Sequence, residues 1–173
     1  ELGLLARSLR TEGELAAEVP GTSQLMGNAL LKLLPPTVAA DGRVRRQLLL
    51  AHASWQPYAH MLRVWKCLRT SLRHPATAAQ SLSFPSHPGL LWSHDSLVYA
   101  DSGLVVAATA VPVHAARTLQ AVKSMGVVPG WARALLATRM ARGGAEWCAL
   151  MGRYNGGTLP RQWLVLDLKR WWA

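Results

Sequence analysis

Residues 96–110 read SLVYADSGLVVAATA, and this stretch predicts the architecture of the chain. Two apolar segments, residues 97–100 and 104–110, flank a short polar sequence at residues 101–103 that ends in glycine. A short polar loop containing glycine between two such runs is typical of a β-hairpin. Because a tight turn joins antiparallel strands, we expect an antiparallel sheet.

Outward from this hairpin, short apolar runs alternate with segments of helical periodicity. Apolar runs predict strands, and apolar residues at three- and four-residue steps predict helices. The other predicted strands are residues 26–36, which we expect to be buried, 47–54, 81–89 and 161–168. The predicted helices are residues 58–68, 114–125, 129–142 and 145–153. Paired strands with helices gathered on their faces predict a layered α+β fold.

The composition is that of a globular domain. The chain has 173 residues, of which 50% are hydrophobic, and this argues against disorder. Residues 1–20 predict a weakly specified N-terminal helix, and residues 21–173 predict one partial domain. The sequence starts with Glu1 and shows no signal-peptide pattern, so we expect a fragment or a processed chain.

The formal net charge of +10 favours anionic partners, among them a phospholipid surface. The basic residues are scattered, with the densest group at Arg43, Arg45 and Arg46. No zinc finger, aromatic RNA platform or other nucleic-acid module is present in the sequence, so nucleic acid is not an expected partner. A basic nucleic-acid-binding protein remains a hypothesis that rests on charge alone.

The junction AHASW at residues 51–55 is open to two interpretations. His52 and Trp55 stand where an apolar run meets the predicted helix at 58–68. They are either a satisfied histidine and a core tryptophan beside a helix start, or the rim of an active site. Cys67 and Cys148 are predicted to lie in helices as small buried residues, and a disulfide between them is left open.

Five segments, taken together and in order, resemble the phospholipase B-like (lamina ancestor) family. The family's motifs run roughly as CSALIK-LLPG, AHNTW-x-x-Y-x-x-MLR, FSSYPG, DDFY with SGLV, and YNSGTYNNQW followed by an apolar strand. The matching segments are GNALLKLLPP (27–36), AHASWQPYAHMLR (51–63), LSFPSHPG (82–89), SHDSLVYADSGLVV (93–106) and YNGGTLPRQWLVLDLK (154–169). The resemblance covers about residues 24–170.

The resemblance implies an N-terminal-nucleophile hydrolase fold, in which two antiparallel sheets lie between helical layers (αββα). It implies hydrolysis of an acyl ester or amide, as in phospholipid deacylation, with no cofactor, in a lysosomal or secreted protein. His52 would orient or exchange protons with the reacting groups, and Trp55 would wall the pocket. The remaining matched motif positions have an expected structural role: Asn155, Gly157, Thr158, Gln162 and Trp163.

One departure from the family pattern bears on activity. Gly27 stands where the resemblance places the nucleophilic cysteine, and glycine has no side chain that attacks a carbonyl. We therefore expect hydrolysis to be impaired, with a non-catalytic lipid- or partner-binding remnant as the alternative. The exposed apolar pair Trp171-Trp172 also leads us to expect a second segment or chain that completes the fold.

Overall fold

The structure is a computed structural model that describes residues 26–55, 58, 61–93, 95–110, 126–157 and 161–172. Seven strands and three helices lie in these ranges. The strands are β1 (Met26–Val38), β2 (Val44–Trp55), β3 (Val64–Arg69), β4 (Ser81–Ser86), β5 (Leu97–Ala100), β6 (Leu104–Ala110) and β7 (Arg161–Asp167). The helices are α1 (Gly130–Met140), α2 (Gly144–Gly152) and α3 (Leu168–Trp172). The helices predicted over 1–20 and 114–125 lie outside the described residues.

The predicted hairpin is confirmed and lies inside a five-stranded sheet. The strand order is β3-β4-β5-β6-β7, with every neighbouring pair antiparallel. Tyr99 pairs with Val105 across the hairpin, and Gly103 has a φ of +84° in the turn. That left-handed conformation favours glycine, which explains why the turn sequence ends in this residue.

Helices α1 and α2 cover one face of this sheet, as the sequence predicted. Leu104 and Val106 of β6 pack against Ala137 and Ala141 and against Trp147 of α2 to form a buried core. The indole nitrogen of Trp147 donates to the hydroxyl of Thr138 at 2.9 Å, so the polar atom of this buried ring has a partner. Strand β6 thus lies at the centre of the apolar core.

Strands β1 and β2 form a separate two-stranded antiparallel sheet. Strand β1 packs against β6, where Val105 and Ala107 are also buried although they alternate with the residues that face the helices. The layers therefore run from helices through the five-stranded sheet to the β1–β2 hairpin. This arrangement confirms the α+β class.

The prediction that residues 26–36 form a buried strand was correct about the strand and wrong about its burial. Leu30 is 58% exposed because only one face of β1 meets the other sheet, and Leu33 is 54% exposed because the inner face is no longer covered beyond Leu31. The strand also continues past Pro35 and Pro36 to Val38, with a register shift between Leu34 and Thr37. Proline lacks an amide donor and is accommodated on such edge strands at an irregularity.

The helix predicted over residues 58–68 was wrong. The chain turns at Tyr58, whose carbonyl accepts from the amide of Met61 at 3.0 Å, and then forms β3 along β4. The ring of Trp65 packs on Tyr99 with the centroids 5.7 Å apart, and the ammonium group of Lys66 donates to backbone carbonyls beyond β4. Cross-strand pairing overrides the local helical periodicity here.

The cysteine predictions also need correction. Cys67 lies on β3 rather than in a helix, whereas Cys148 lies in α2 as expected. Both thiols are free and exposed, so neither is a buried hydrophobe and no disulfide joins them. Among the described residues, no helix has the length and apolar character needed to cross a membrane.

Candidate active site

The inner face of the β1–β2 hairpin brings the predicted nucleophile position and the predicted histidine together. Gly27 pairs with Ser54, and Ala29 pairs with His52, so these four positions share one face of the hairpin. All four are partly buried, whereas the alternating residues Asn28 and Ala53 are exposed. The geometry places residue 27 diagonally next to the imidazole-bearing position.

The backbone around Gly27 leaves no room for a side chain. A Cβ atom built on Gly27 would lie 2.6 Å from the carbonyl oxygen of Ala53 on the paired strand. This distance is far below van der Waals contact, and the clashing atom belongs to the backbone, so only a shift of the strands would relieve it. The glycine is therefore fitted by the local strand geometry.

His52 makes a hydrogen bond between the hairpin and the five-stranded sheet. Its Nε2 atom lies 2.9 Å from the backbone oxygen of Ala108 on β6. Because a carbonyl oxygen only accepts, Nε2 carries the proton and donates, which leaves Nδ1 as the acceptor of the neutral ring.

The strand ladder explains why the Ala108 carbonyl is open to His52. The amide of Ala108 donates to Ser96 at 2.9 Å, just before β5 begins. In a regular antiparallel pair the amide of Ser96 would return a bond to Ala108. The amide of Ser96 instead donates to the carbonyl of Ser93 at 3.4 Å, and the carbonyl of Ala108 accepts from His52.

Trp55 lies on the other face of the hairpin. It pairs with Met26 at the end of β2 and is three residues from His52, so strand alternation directs the two side chains to opposite faces. Its side chain is 56% exposed. The structure does not bring Trp55 together with His52 and Gly27, and its assignment as a pocket wall stays a prediction.

Two arginine contacts lie at the start of β5, and sequence reasoning missed both. The guanidinium of Arg63 makes a bidentate ion pair with the buried carboxylate of Asp95, at 2.8–3.1 Å. Arg161 at the start of β7 donates to the hydroxyl of Ser96, which has a φ of +55°. The only sequence signal was that these residues belong to three of the five matched segments.

The remaining predicted motif positions form a loop and part of the core. The side-chain oxygen of Asn155 accepts from the amide of Gly157 at 3.0 Å and from Arg133 at 2.9 Å, which fixes the loop after α2. Trp163 packs on Trp147 with ring centroids 5.1 Å apart, and Gln162 is exposed. Thr158 lies outside the described residues.

The thiol of Cys67 is poorly placed to act together with His52. Cys67 is on the edge strand β3, three strands from β6, which corresponds to about 14 Å at ~4.8 Å per strand. Hydrogen bonds from Ser83 and then Ser81 lower the pKa of the Cys67 thiol, yet it remains remote from His52. Within the described ranges, no group of three or more histidine, cysteine or acidic residues is arranged to hold a metal ion.

Comparison with known proteins agrees with the motif resemblance. The sequence profile of the family described as Phospholipase B matches residues 5–172. Phospholipase B-like 1 of Rattus norvegicus is 37% identical over 143 residues, covering 83% of this chain and 24% of the relative. Putative phospholipase B-like 2 of the same organism is 34% identical over 148 residues, covering 82% and 24%. Putative phospholipase B-like 2 of Caenorhabditis elegans is 35% identical over 123 residues, covering 71% and 21%.

The chain thus spans about a quarter of the length of these curated relatives. The family profile, by contrast, matches nearly all of the chain, and it includes the β1–β2 hairpin with Gly27 and His52 as well as the five-stranded sheet. The chain therefore belongs to the phospholipase B family.

Proposed function

We propose that this chain is a phospholipase B-like hydrolase domain that binds acylated lipid and is impaired in hydrolysing it. The observation that carries the proposal is that a Cβ atom on Gly27 would lie 2.6 Å from the carbonyl oxygen of Ala53. Acyl transfer by an N-terminal nucleophile needs a thiol or hydroxyl at that position, and its free α-amino group serves as the base. Glycine supplies no attacking atom, and the strand spacing opposes its replacement.

The hydrogen bond of His52 supports the same proposal. Its Nε2 atom donates a hydrogen bond to the backbone oxygen of Ala108, and this bond connects the two sheets. An engaged imidazole contributes to stability and holds the inner face of the hairpin in place. Only Nδ1 would remain to exchange a proton with a bound acyl compound.

The layering supports descent from an N-terminal-nucleophile hydrolase. Helices, a five-stranded sheet and a second antiparallel sheet follow one another, as three layers of the expected αββα sandwich would. In that arrangement the acyl substrate would lie at the Gly27 end of β1. A lysosomal or secreted location follows from the same family resemblance and is proposed with it.

Lipid binding and hydrolysis can be tested separately with the full chain. A short-chain phosphatidylcholine, kept below its micelle concentration, and an N-acyl amide are incubated with the protein, and fatty-acid release and binding heat are measured. We expect saturable binding with no release above the uncatalysed rate. Release would overturn the proposed impairment, and the absence of both release and binding would overturn lipid recognition.

Two variants identify the source of any residual release. Ser54→Ala removes the hydroxyl that lies opposite Gly27, and Gly27→Cys restores the family's residue at the nucleophile position. We expect no release from Gly27→Cys, because the Ala53 carbonyl leaves no space for a cysteine side chain at residue 27 in the native strand spacing. Release by the native chain that Ser54→Ala abolishes would be assigned to the Ser54 hydroxyl. Hydrolysis by Gly27→Cys would show that a missing thiol is the only defect.

A further inference from the structure

The far half of the β1–β2 hairpin is exposed on both faces. From Gly27 to Leu31, burial alternates along β1 as the inner face meets the other sheet, and the same holds along β2 from Leu48 to Trp55. The alternation stops beyond these points, and residues 35–38 and 41–47 are all exposed. We call residues 35–47 the hairpin arm. Its four strand residues before the turn extend roughly 13 Å at ~3.3 Å per residue.

The end of the arm carries exposed aliphatic side chains. Val38 and Val44 pair directly across the two strands and are 72% and 63% exposed. Paired side chains lie on the same face, so the two valines form one apolar spot beside the turn. An exposed aliphatic pair at the end of a projecting hairpin is a feature of surfaces that meet an apolar partner.

Three arginines flank this apolar spot on the β2 side. Arg43 adjoins the turn, Arg46 follows Val44 on the same face of β2, and Arg45 pairs with Thr37 on the other face. Together with Lys32 they make four basic residues in the described range 26–55, against one acidic residue, Asp41, for a net charge of +3. Cations therefore lie on both faces of the arm and next to its tip.

We propose that the hairpin arm docks on an anionic lipid bilayer. The Val38–Val44 pair would enter the interface between headgroups and acyl chains, which is ~5–10 Å deep for peripheral apolar segments. The arginines on both faces would then lie at the level of the phosphates, where guanidinium groups bind anionic oxygens and their stems cover apolar surface. The positive charge of the arm is complementary to this anionic partner.

The arm fits the other candidate occupants less well. Single-stranded nucleic acid is held by aromatic side chains on which bases stack, and residues 35–47 contain no aromatic residue. A second copy of the chain would bring two arms of net positive charge together, which is unfavourable. Bilayer docking is distinct from acyl binding at the Gly27 end of β1, although it deepens the proposed lipid function and rests on it.

The electrostatic part of the proposal is tested by vesicle co-sedimentation of the full chain. Vesicles of phosphatidylcholine with one third phosphatidylserine are compared with pure phosphatidylcholine, at low and high salt. We expect binding to the anionic vesicles alone, weakened by salt. The variant R43Q/R45Q/R46Q should bind on the order of 100-fold more weakly, since each arginine near such a surface contributes about fivefold.

A matched control separates the arm from the overall charge. The variant R73Q/R153Q/R170Q removes the same charge from exposed positions elsewhere and should bind within about threefold of the native protein. Equal losses in both triple variants would overturn the arm as the docking surface. A competing duplex or single-stranded DNA that displaces the vesicles, or self-association that the arm variant abolishes, would also overturn it.

Insertion of the valines is tested in the same way. The variant V38S/V44S should lower binding to anionic vesicles by about tenfold, whereas L72S/L136S alters two other exposed side chains and should not. Unchanged binding by V38S/V44S would overturn insertion. Because the monomeric short-chain lipid offers no bilayer, failure of vesicle docking with intact binding of that lipid would leave the proposed function standing.

Discussion

The imidazole of His52 on β2 donates to the backbone oxygen of Ala108 on β6 at 2.9 Å, and this bond joins the two sheets of the protein. The bond is partly buried and connects residues that are 56 positions apart in the sequence. A side chain expected to serve chemistry is thus engaged in holding the hairpin over the sheet.

Replacing His52 is expected to destabilise the fold. His52→Ala leaves a partly buried carbonyl without this donor, and we expect the free energy of unfolding to fall by about 1–3 kcal/mol. Urea denaturation measures the change. His74→Ala, at an exposed histidine whose described bonds are local, should alter stability far less. Equal losses in the two variants would mean that the Ala108 bond contributes nothing.

Adding a single methyl group at residue 27 is expected to be costly. Gly27→Ala places a Cβ against the Ala53 oxygen, 2.6 Å away in the present geometry, so the strands must separate. We expect a loss of about 1–3 kcal/mol in unfolding free energy, the usual range for overpacking. Gly152→Ala, where nothing lies within 4 Å, is the control and should change stability by less than about 1 kcal/mol. A neutral Gly27→Ala would contradict the expected clash between residue 27 and the Ala53 carbonyl.

The ion pair between Arg63 and Asp95 is expected to matter more than the exposed charges do. The Asp95 side chain is 4% exposed, so Arg63→Met leaves a buried carboxylate without this partner. We expect a loss of about 3 kcal/mol, against little change for Arg69→Met at an exposed position. Thermal and urea unfolding measure the loss of stability in these two variants and in the double variant Arg63→Met/Asp95→Leu. The double variant should recover part of the loss, since it removes the buried charge as well.

Cys67 is expected to react as a thiolate at lower pH than an ordinary cysteine. Hydrogen bonds from Ser83 and Ser81 and the nearby Arg69 favour its charged form and lower its pKa. The rate of alkylation by iodoacetamide, measured against pH in a Cys148→Ser background, reports that pKa. The variant Ser81→Ala/Ser83→Ala should move the midpoint to higher pH. Ser71→Ala, which lies outside the two strands, should leave this midpoint unchanged. An equal shift in the two variants would contradict the assignment of the lowered pKa to Ser81 and Ser83.

Local sequence patterns predicted most of the elements in the described residues. The β5–β6 hairpin, helices α1 and α2 and strand β7 all formed close to their expected positions. Each depends on information carried by near neighbours, such as a glycine with positive φ in a turn or the pair Gly143-Gly144 at the start of α2. The departure of Gly27 from the family pattern was likewise visible in the sequence.

Tertiary structure decided what local patterns could not. Residues 64–69 became a strand because β4 offers a paired edge, although their apolar spacing suits a helix. Strand alternation placed Trp55 and His52 on opposite faces of the hairpin. His52 forms its hydrogen bond with Ala108 because the hairpin packs over β6. The lack of space for a Cβ atom on Gly27 beside the Ala53 oxygen likewise comes from strand pairing. Propensity and periodicity act over a few residues, whereas burial and hydrogen-bond partners depend on segments that are distant in the chain.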